Sequence, residues 1–331
     1  MKTGKLNFGW NLALVMLPLV TALLCVGIGR MVLAPDQVLS ALLGGEVPDL
    51  IYKTVWNIRL PRIVLAMLVG GGLAAAGCAF QSLFANPLAT PDTLGVASGA
   101  SFGAALAILM GFSMVGIQLT SLIAGGAAVL LTWLGGSKKG SGLNTIVLSG
   151  IMMGSLFNAL VSLVKYIADA EDQLPAITFW LMGGLNSAGW KNIALGAPAI
   201  LVSVLVLWLL RWRLNLLPLT EDEARASGVN MKVLRAATIL CATLITASCV
   251  SMCGQVGWVG LLIPHICRMK FGSNHLALVP ASVSLGATFM ILVDAVARSA
   301  TASEIPISIL TAIIGAPFFI VLMRRSGGWR L

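Results

Sequence analysis

Apolar residues run on for about 20 positions at a time, the length that crosses a bilayer as a helix, and short polar islands separate the runs. The pattern predicts crossings near 10–29, 63–84, 94–110, 119–134, 143–164, 193–210, 276–293 and 305–323. One apolar stretch remains, 236–267, whose 32 residues carry no charge except a possible one on His265. It is long for one span and short for two complete ones. Two passes keep Arg268, Lys270, Arg324, Arg325 and Arg330 on the same side as the charged island at 211–235, whereas one pass sends them to the other side. The reading is therefore an all-α polytopic membrane protein with about ten transmembrane helices in a single domain over 1–331.

Helix breakers interrupt this pattern in two places. The second crossing ends in QSLFANPLATPDTLG, where Asn86 and Pro87, with Pro91 beyond, mark a turn that cannot stay helical. The eighth crossing reads GQVGWVGLLIPHICR, with Gly257, Gly260 and Pro264 inside it. At ~1.5 Å per residue it is about 20 Å long, short of the ~30 Å hydrocarbon core. Broken, Gly-rich helices in corresponding parts of two halves point to an internal repeat around a translocation path. The competing reading is that glycines only allow helices to approach closely. Two connections, 30–62 and 169–191, are longer than simple turns; the second holds an apolar piece expected to lie along the outer surface or dip into the membrane.

The densest charged island, RWRLNLLPLTEDEARASGVNMKVLR at 211–235, has the marks of a short helix. Thr220 serves as N-cap, Glu223 completes a capping box, Glu221 and Asp222 lie in the first turn where the helix dipole favours anions, and Gly228 supplies the stop. A helix of about two turns is too short to stand alone in water, so it needs something to pack on. Docking onto a separate energy-supplying protein is one reading; a solvated loop leaning on its own neighbours is the other.

Composition agrees with the membrane reading: of 331 residues, 58% are apolar and only 10% charged, against about 25% charged in soluble domains. The net charge of +9 follows from topology rather than from nucleic-acid binding. With both termini inside, 14 of the 21 Lys and Arg fall in inner segments and eight of the 12 acidic residues in outer ones, as the positive-inside rule requires. The first run lacks a cleavage site and is read as a retained span. The six cysteines form no C-x-x-C pair and read as small packing residues. No phosphate-binding loop is present, since GGSKKGSG lacks the required order, so no ATPase site, catalytic residue or resident cofactor is expected. His265 and His275 alone make a metal site improbable. Span centres read as bare of ionisable groups, with Asp92, Lys165, Asp294 and Arg298 at ends or in loops, which weakens an ion-coupled carrier. A membrane-embedded enzyme lacks convergent acid, base or metal groups.

Several stretches in order resemble the FecCD-type permeases of ATP-driven importers for iron-siderophores, haem and cobalamin: IRLPR at 58–62, GCAFQSLFANPLATPDTLGVASGA at 77–100, WLMGGL at 180–185, EARASG at 223–228, GWVGLLIPHICR at 257–268, DAVAR at 294–298 and EIPISILTAIIGAPFF at 304–319. The resemblance covers nearly the whole chain. It implies the large type of importer permease in the bacterial cytoplasmic membrane, with the second to fifth and seventh to tenth helices related as an inverted repeat. It further implies a second permease subunit, identical or paralogous, two cytoplasmic subunits that bind ATP and Mg, and a periplasmic or lipid-anchored binding protein. A ferric siderophore is the expected cargo, with haem or cobalamin as alternatives.

Residue by residue, the resemblance assigns ATPase coupling to Thr220, Glu221, Asp222, Glu223, Ala224, Arg225 and Gly228. It assigns binding-protein docking to Arg59, Arg62 and Arg298, for which snorkelling at the interface is the competing reading, and gating to Leu143, Asn144 and Thr145. The sequence departs from the family pattern at Ser227, which has a bearing on the strength of the ATPase contact, and at Trp258 and Ser308, which bear on packing.

Overall fold

The computed structural model describes residues 6–136, 143–219, 223, 226–301 and 303–325, and every regular element among them is helical. In chain order they are α1 (Phe8–Val26), α2 (Pro35–Leu43), α3 (Asp49–Lys53), α4 (Leu60–Leu83), α5 (Val96–Leu109), α6 (Met114–Gly136), α7 (Leu143–Ile167), α8 (Gln173–Leu181), α9 (Trp190–Leu210), α10 (Met231–Cys253), α11 (Val259–Phe271), α12 (His275–Ser299) and α13 (Ile307–Arg325). A helix stands at each of the ten crossings expected from hydropathy: α1, α4 to α7, and α9 to α13. Among the described residues, seven helical stretches are long and apolar enough to span a bilayer, while α5, α11 and the apolar part of α13, 307–321, are shorter. The apolar 236–267 stretch divides as the parity of the charged islands required, into α10 and α11.

One boundary differs. The second span does not begin near 63 but is helical from Asp49, because a π-helical turn over Thr54–Arg59 joins α3 to α4. The wider turn lets the Leu60 N–H reach the Val55 carbonyl, next to Pro61, which has no N–H to give.

Small residues decide which helices sit at the centre. Gly70–Gly72 and Ala74–Gly77 leave α4 with almost no bulk along 70–77, and nearly all of the helix is buried. A Cβ on Gly70 would stand 2.2 Å from the Gly286 carbonyl oxygen of α12, and one on Gly77 would stand 1.8 Å from that of Gly260 in α11. Backbones meet here, as membrane helices do when small residues face each other. The sequence of α10, rich in Ala, Ser, Thr and Cys, buries it in the same way. By contrast α1, α7 and α9 turn rows of Leu, Val and Ile outward, suited to hydrocarbon.

The contacts repeat along the chain. α4 packs on α12 and α11, and α10 packs on the equivalents α6 and α5; α5 packs on α6 and α7, and α11 packs on α12 and α13; α4 and α10 pack on each other. This is the inverted repeat of α4 to α7 with α10 to α13.

Candidate translocation and coupling site

The two breaker stretches, about 170 residues apart in the sequence, come together. After α4 the chain turns at Ala85, whose φ of 47° is a left-handed conformation that non-glycine residues rarely adopt. The Asn86 side chain accepts the Leu88 N–H at 2.9 Å, and a 3-10 turn over Pro91–Leu94 leads into α5. That turn packs against Gly150 and Gly154 of α7. Gly150 is seven residues along α7, so α5 starts about 10 Å inside the bundle rather than at its surface. Asp92 is half-buried there and accepts the Ala97 N–H at 2.9 Å, which caps α5.

The second break mirrors the first. α10 ends at Gly254, and Trp258, at φ 69°, starts α11 level with the middle of α4. The meeting point is a cavity of about 140 Å³ walled by Pro91 and Asp92 from one break and Gln255, Gly257, Trp258 and Gly260 from the other. Gln81 of α4 donates to the Gly260 carbonyl at 3.3 Å and accepts from Arg268 of α11 at 2.9 Å, so one amide holds both ends of the short helix. Gly260 and Pro264 are buried; Gly257 has open space where a Cβ would be. Gly260 thus permits close packing, and Gly257 leaves room at the break.

WLMGGL at 180–185 runs out of the end of the short helix α8 and lies over the second break. The Gly184 N–H donates to the Cys253 carbonyl at 2.8 Å, and the Gly183 carbonyl accepts the Ile307 N–H at 3.0 Å. Ser308 donates to the Met182 carbonyl, which gives this departure from the family pattern a hydrogen bond of its own. Trp258 packs its ring against Gly315 of α13.

At the opposite end of α4 the guanidinium groups of Arg59, Arg62 and Arg298 are each engaged inside the chain. All three residues are buried. Arg59 donates to the carbonyls of Val26, at 2.6 Å, and Met31, and Arg298 donates to Cys25 at 2.7 Å. These bonds supply α1 with cationic partners for its last carbonyls, which its own last turn lacks. Arg62 pairs with Asp294 at 2.7 Å and with Glu304 at 2.8 Å. As expected, Asp294 sits near the end of a span, in the last turns of α12; what the sequence did not show is that it is fully enclosed there, between Arg62 and Arg298. The pairing with α4 was not visible because its partners are 232 positions apart; only the i,i+4 spacing of Asp294 and Arg298 was a signal.

The coupling island is described in part. Thr220, Glu221, Asp222, Ala224 and Arg225 lie outside the described residues; Glu223 is helical and exposed, and Gly228 has φ 71°, the left-handed conformation that ends a helix. The root of the island is fixed firmly. Ser82, at the end of α4, donates to the Leu214 carbonyl at 2.6 Å. Asn215 accepts the His275 backbone N–H at 3.0 Å, meets the His275 ring at 2.9 Å and donates to Asn274 at 3.3 Å. These groups line a cleft of about 860 Å³ shared with Pro87 and Arg268. Neither Ser82 nor Asn215 stood out in the sequence, although a lone Asn in the apolar run LNLLPL is a usable signal. Leu143, Asn144 and Thr145 begin α7, with Asn144 and Thr145 exposed.

Two helix-broken halves meeting at a central cavity, with a charged segment fastened to the ends of both, are the architecture of a transporter's membrane subunit. Residues 16–325 match the FecCD transport family, and the chain belongs to it: it is a permease subunit of an ABC importer. The molybdate import system permease MolB of Haemophilus influenzae is 43% identical over 98% of this chain and 97% of its own length. The Fe(3+) dicitrate permease FecC of Escherichia coli is 37% identical over 87% of this chain and 88% of its own. A solved structure described as an inward-facing conformation of a metal-chelate type ABC transporter superposes with a TM-score of 0.87 at 41% identity, covering 96% of this chain and all of that one.

Proposed function

We propose that this permease carries a metal-containing anion across the bacterial cytoplasmic membrane, and that ATP hydrolysis in two separate subunits drives it through the 211–235 segment. The observation that carries the coupling reading is the fastening of that segment to α4 through Ser82 and to α12 through Asn215. α4 belongs to one half of the repeat and α12 to the other, so a push on Glu221 to Gly228 reaches both halves through short, directed bonds. Both termini and the island face the cytoplasm, as the distribution of Lys and Arg favours. Leu143, Asn144 and Thr145 act at the cytoplasmic mouth, and the breaks at Asn86 and Pro87 and at Gly257, Gly260 and Pro264 are where the halves rock.

For cargo, the reading we favour is an oxyanion of the molybdate class, supported by full-length similarity to MolB. Similarity to FecC supports a ferric chelate, the expectation from the sequence, as the second reading. The binding protein docks on the outer face that Arg59, Arg62 and Arg298 organise. Buried and bonded to carbonyls and carboxylates of the chain, these residues shape that face rather than offer exposed charges to it. A second permease copy or paralogue completes the path.

The test is uptake into proteoliposomes holding the permease, its ATP-binding subunits and its binding protein, with radiolabelled molybdate and ferric chelates in parallel. ATP-dependent molybdate uptake is expected. Uptake of ferric chelate alone overturns the cargo reading, and full transport by the permease under an ion gradient without any ATPase overturns the importer mechanism.

A further inference from the structure

A further cavity, of about 680 Å³, lies apart from both breaks. It is a groove open on the flank of the bundle, between α1 and α9, with α4 and α12 as its floor. Gly71 and Gly72 hollow out the floor, and Leu14, Leu201 and Val204 form apolar walls. Val15 and Leu205 along its rim, and Leu12 and Leu209 beside it on α1 and α9, are exposed. The groove therefore faces hydrocarbon, and its size falls within the ~300–1,000 Å³ of ligand sites.

One end of the groove is different. Trp208 and Asn11 line it there. The Arg211 guanidinium lies 3.9 Å from the Trp208 ring centroid, and the Lys270 ammonium lies 4.9 Å from the ring of Trp10, beside Asn11. Both are within cation–π range. Trp10 in turn stands edge-on to Phe271 at 5.2 Å. The segments carrying the two cations are tied together, because Asn215, four residues after Arg211, bonds Asn274, four residues after Lys270. Between 208 and 219, and between 268 and 276, the sequence has no acidic residue. Tryptophans at the interface with cations beside them, at the mouth of an apolar groove between membrane helices, match an anionic headgroup above an acyl chain.

We propose that this groove binds an anionic glycerophospholipid, with an acyl chain between α1 and α9 and its phosphate between Arg211 and Lys270. The assignment to the cytoplasmic leaflet rests on the orientation proposed above; the site itself does not. Because Arg211 opens the coupling island, a bound lipid would steady the root of that segment against α12.

Native mass spectrometry of the full-length chain titrated with cardiolipin, phosphatidylglycerol and phosphatidylcholine tests this. Retention of the two anionic lipids over phosphatidylcholine is expected. Arg211→Ala with Lys270→Ala should lower that retention by about tenfold or more. Val204→Phe, which fills the groove and keeps both cations, should lower it as well. Equal retention of phosphatidylcholine, or no effect of the charge pair, overturns the headgroup assignment. Displacement by inorganic phosphate alone makes it a free-anion site, and disulfide cross-linking of two copies at Leu201→Cys makes it a subunit interface; either result overturns the proposal.

Discussion

At the scale of single residues the buried ion cluster carries the sharpest expectation. Asp294 is enclosed between Arg62 and Arg298, and Arg62 reaches on to Glu304. Removing one partner leaves a charge without compensation, which costs about 3–5 kcal/mol at buried sites. Asp294→Ala should therefore lower thermal stability in detergent well beyond Glu304→Ala, because Glu304 is about one-third exposed and water replaces it more readily. Equal losses in a thermal-shift series would mean that the cluster does not organise this end of the bundle. Arg59→Lys separates capping from charge: an ammonium keeps the charge but lacks the fork that serves two carbonyls. A fall in stability is expected even though charge is conserved.

At the scale of elements, close backbone approach fixes α4 in place. Gly77→Val would put side-chain atoms where the Gly260 carbonyl stands, so α11 would have to move and the junction of the two breaks would open. Gly257→Ala, in open space, should leave folding unchanged. Parallel measurements of expression and melting temperature check the contrast, and similar behaviour of the two variants would contradict the junction. These helices were largely legible in the sequence, because a bilayer demands long apolar runs and punishes charges inside them. The division of 236–267 into α10 and α11 followed from counting basic islands alone. Three features were not legible. Asp49–Arg59 is helical because a π turn bridges polar residues that no hydropathy window includes. The Arg62 cluster depends on partners far apart in the chain. The fastening of Asn215 depends on where α12 begins in space, which spacing along the chain does not encode.

At the scale of the whole molecule the inverted repeat is what lets a small push become transport. α4 and α10 lie at the centre, each embraced by helices of the other half, and in the mechanism proposed above the halves rock about that shared contact. The island at 211–235 joins α9 to α10 and is fastened to α4 and α12, so in the proposed mechanism a push on it reaches both halves. Glu223→Ala with Gly228→Pro should leave the protein inserted but separate ATP hydrolysis from uptake, since the first change weakens the helix start and the second forbids the left-handed stop. Normal uptake in that variant would remove the island from the coupling mechanism.

The most direct measurement compares ATP hydrolysed with cargo moved in proteoliposomes holding the complete transporter, for the wild type and for Ser82→Ala with Asn215→Ala. Those changes remove bonds of about 1 kcal/mol each at the root of the coupling segment and touch neither the ATP site nor the cavity between the breaks. Hydrolysis should continue while uptake per ATP falls by about tenfold, and an unchanged ratio would contradict coupling through this root.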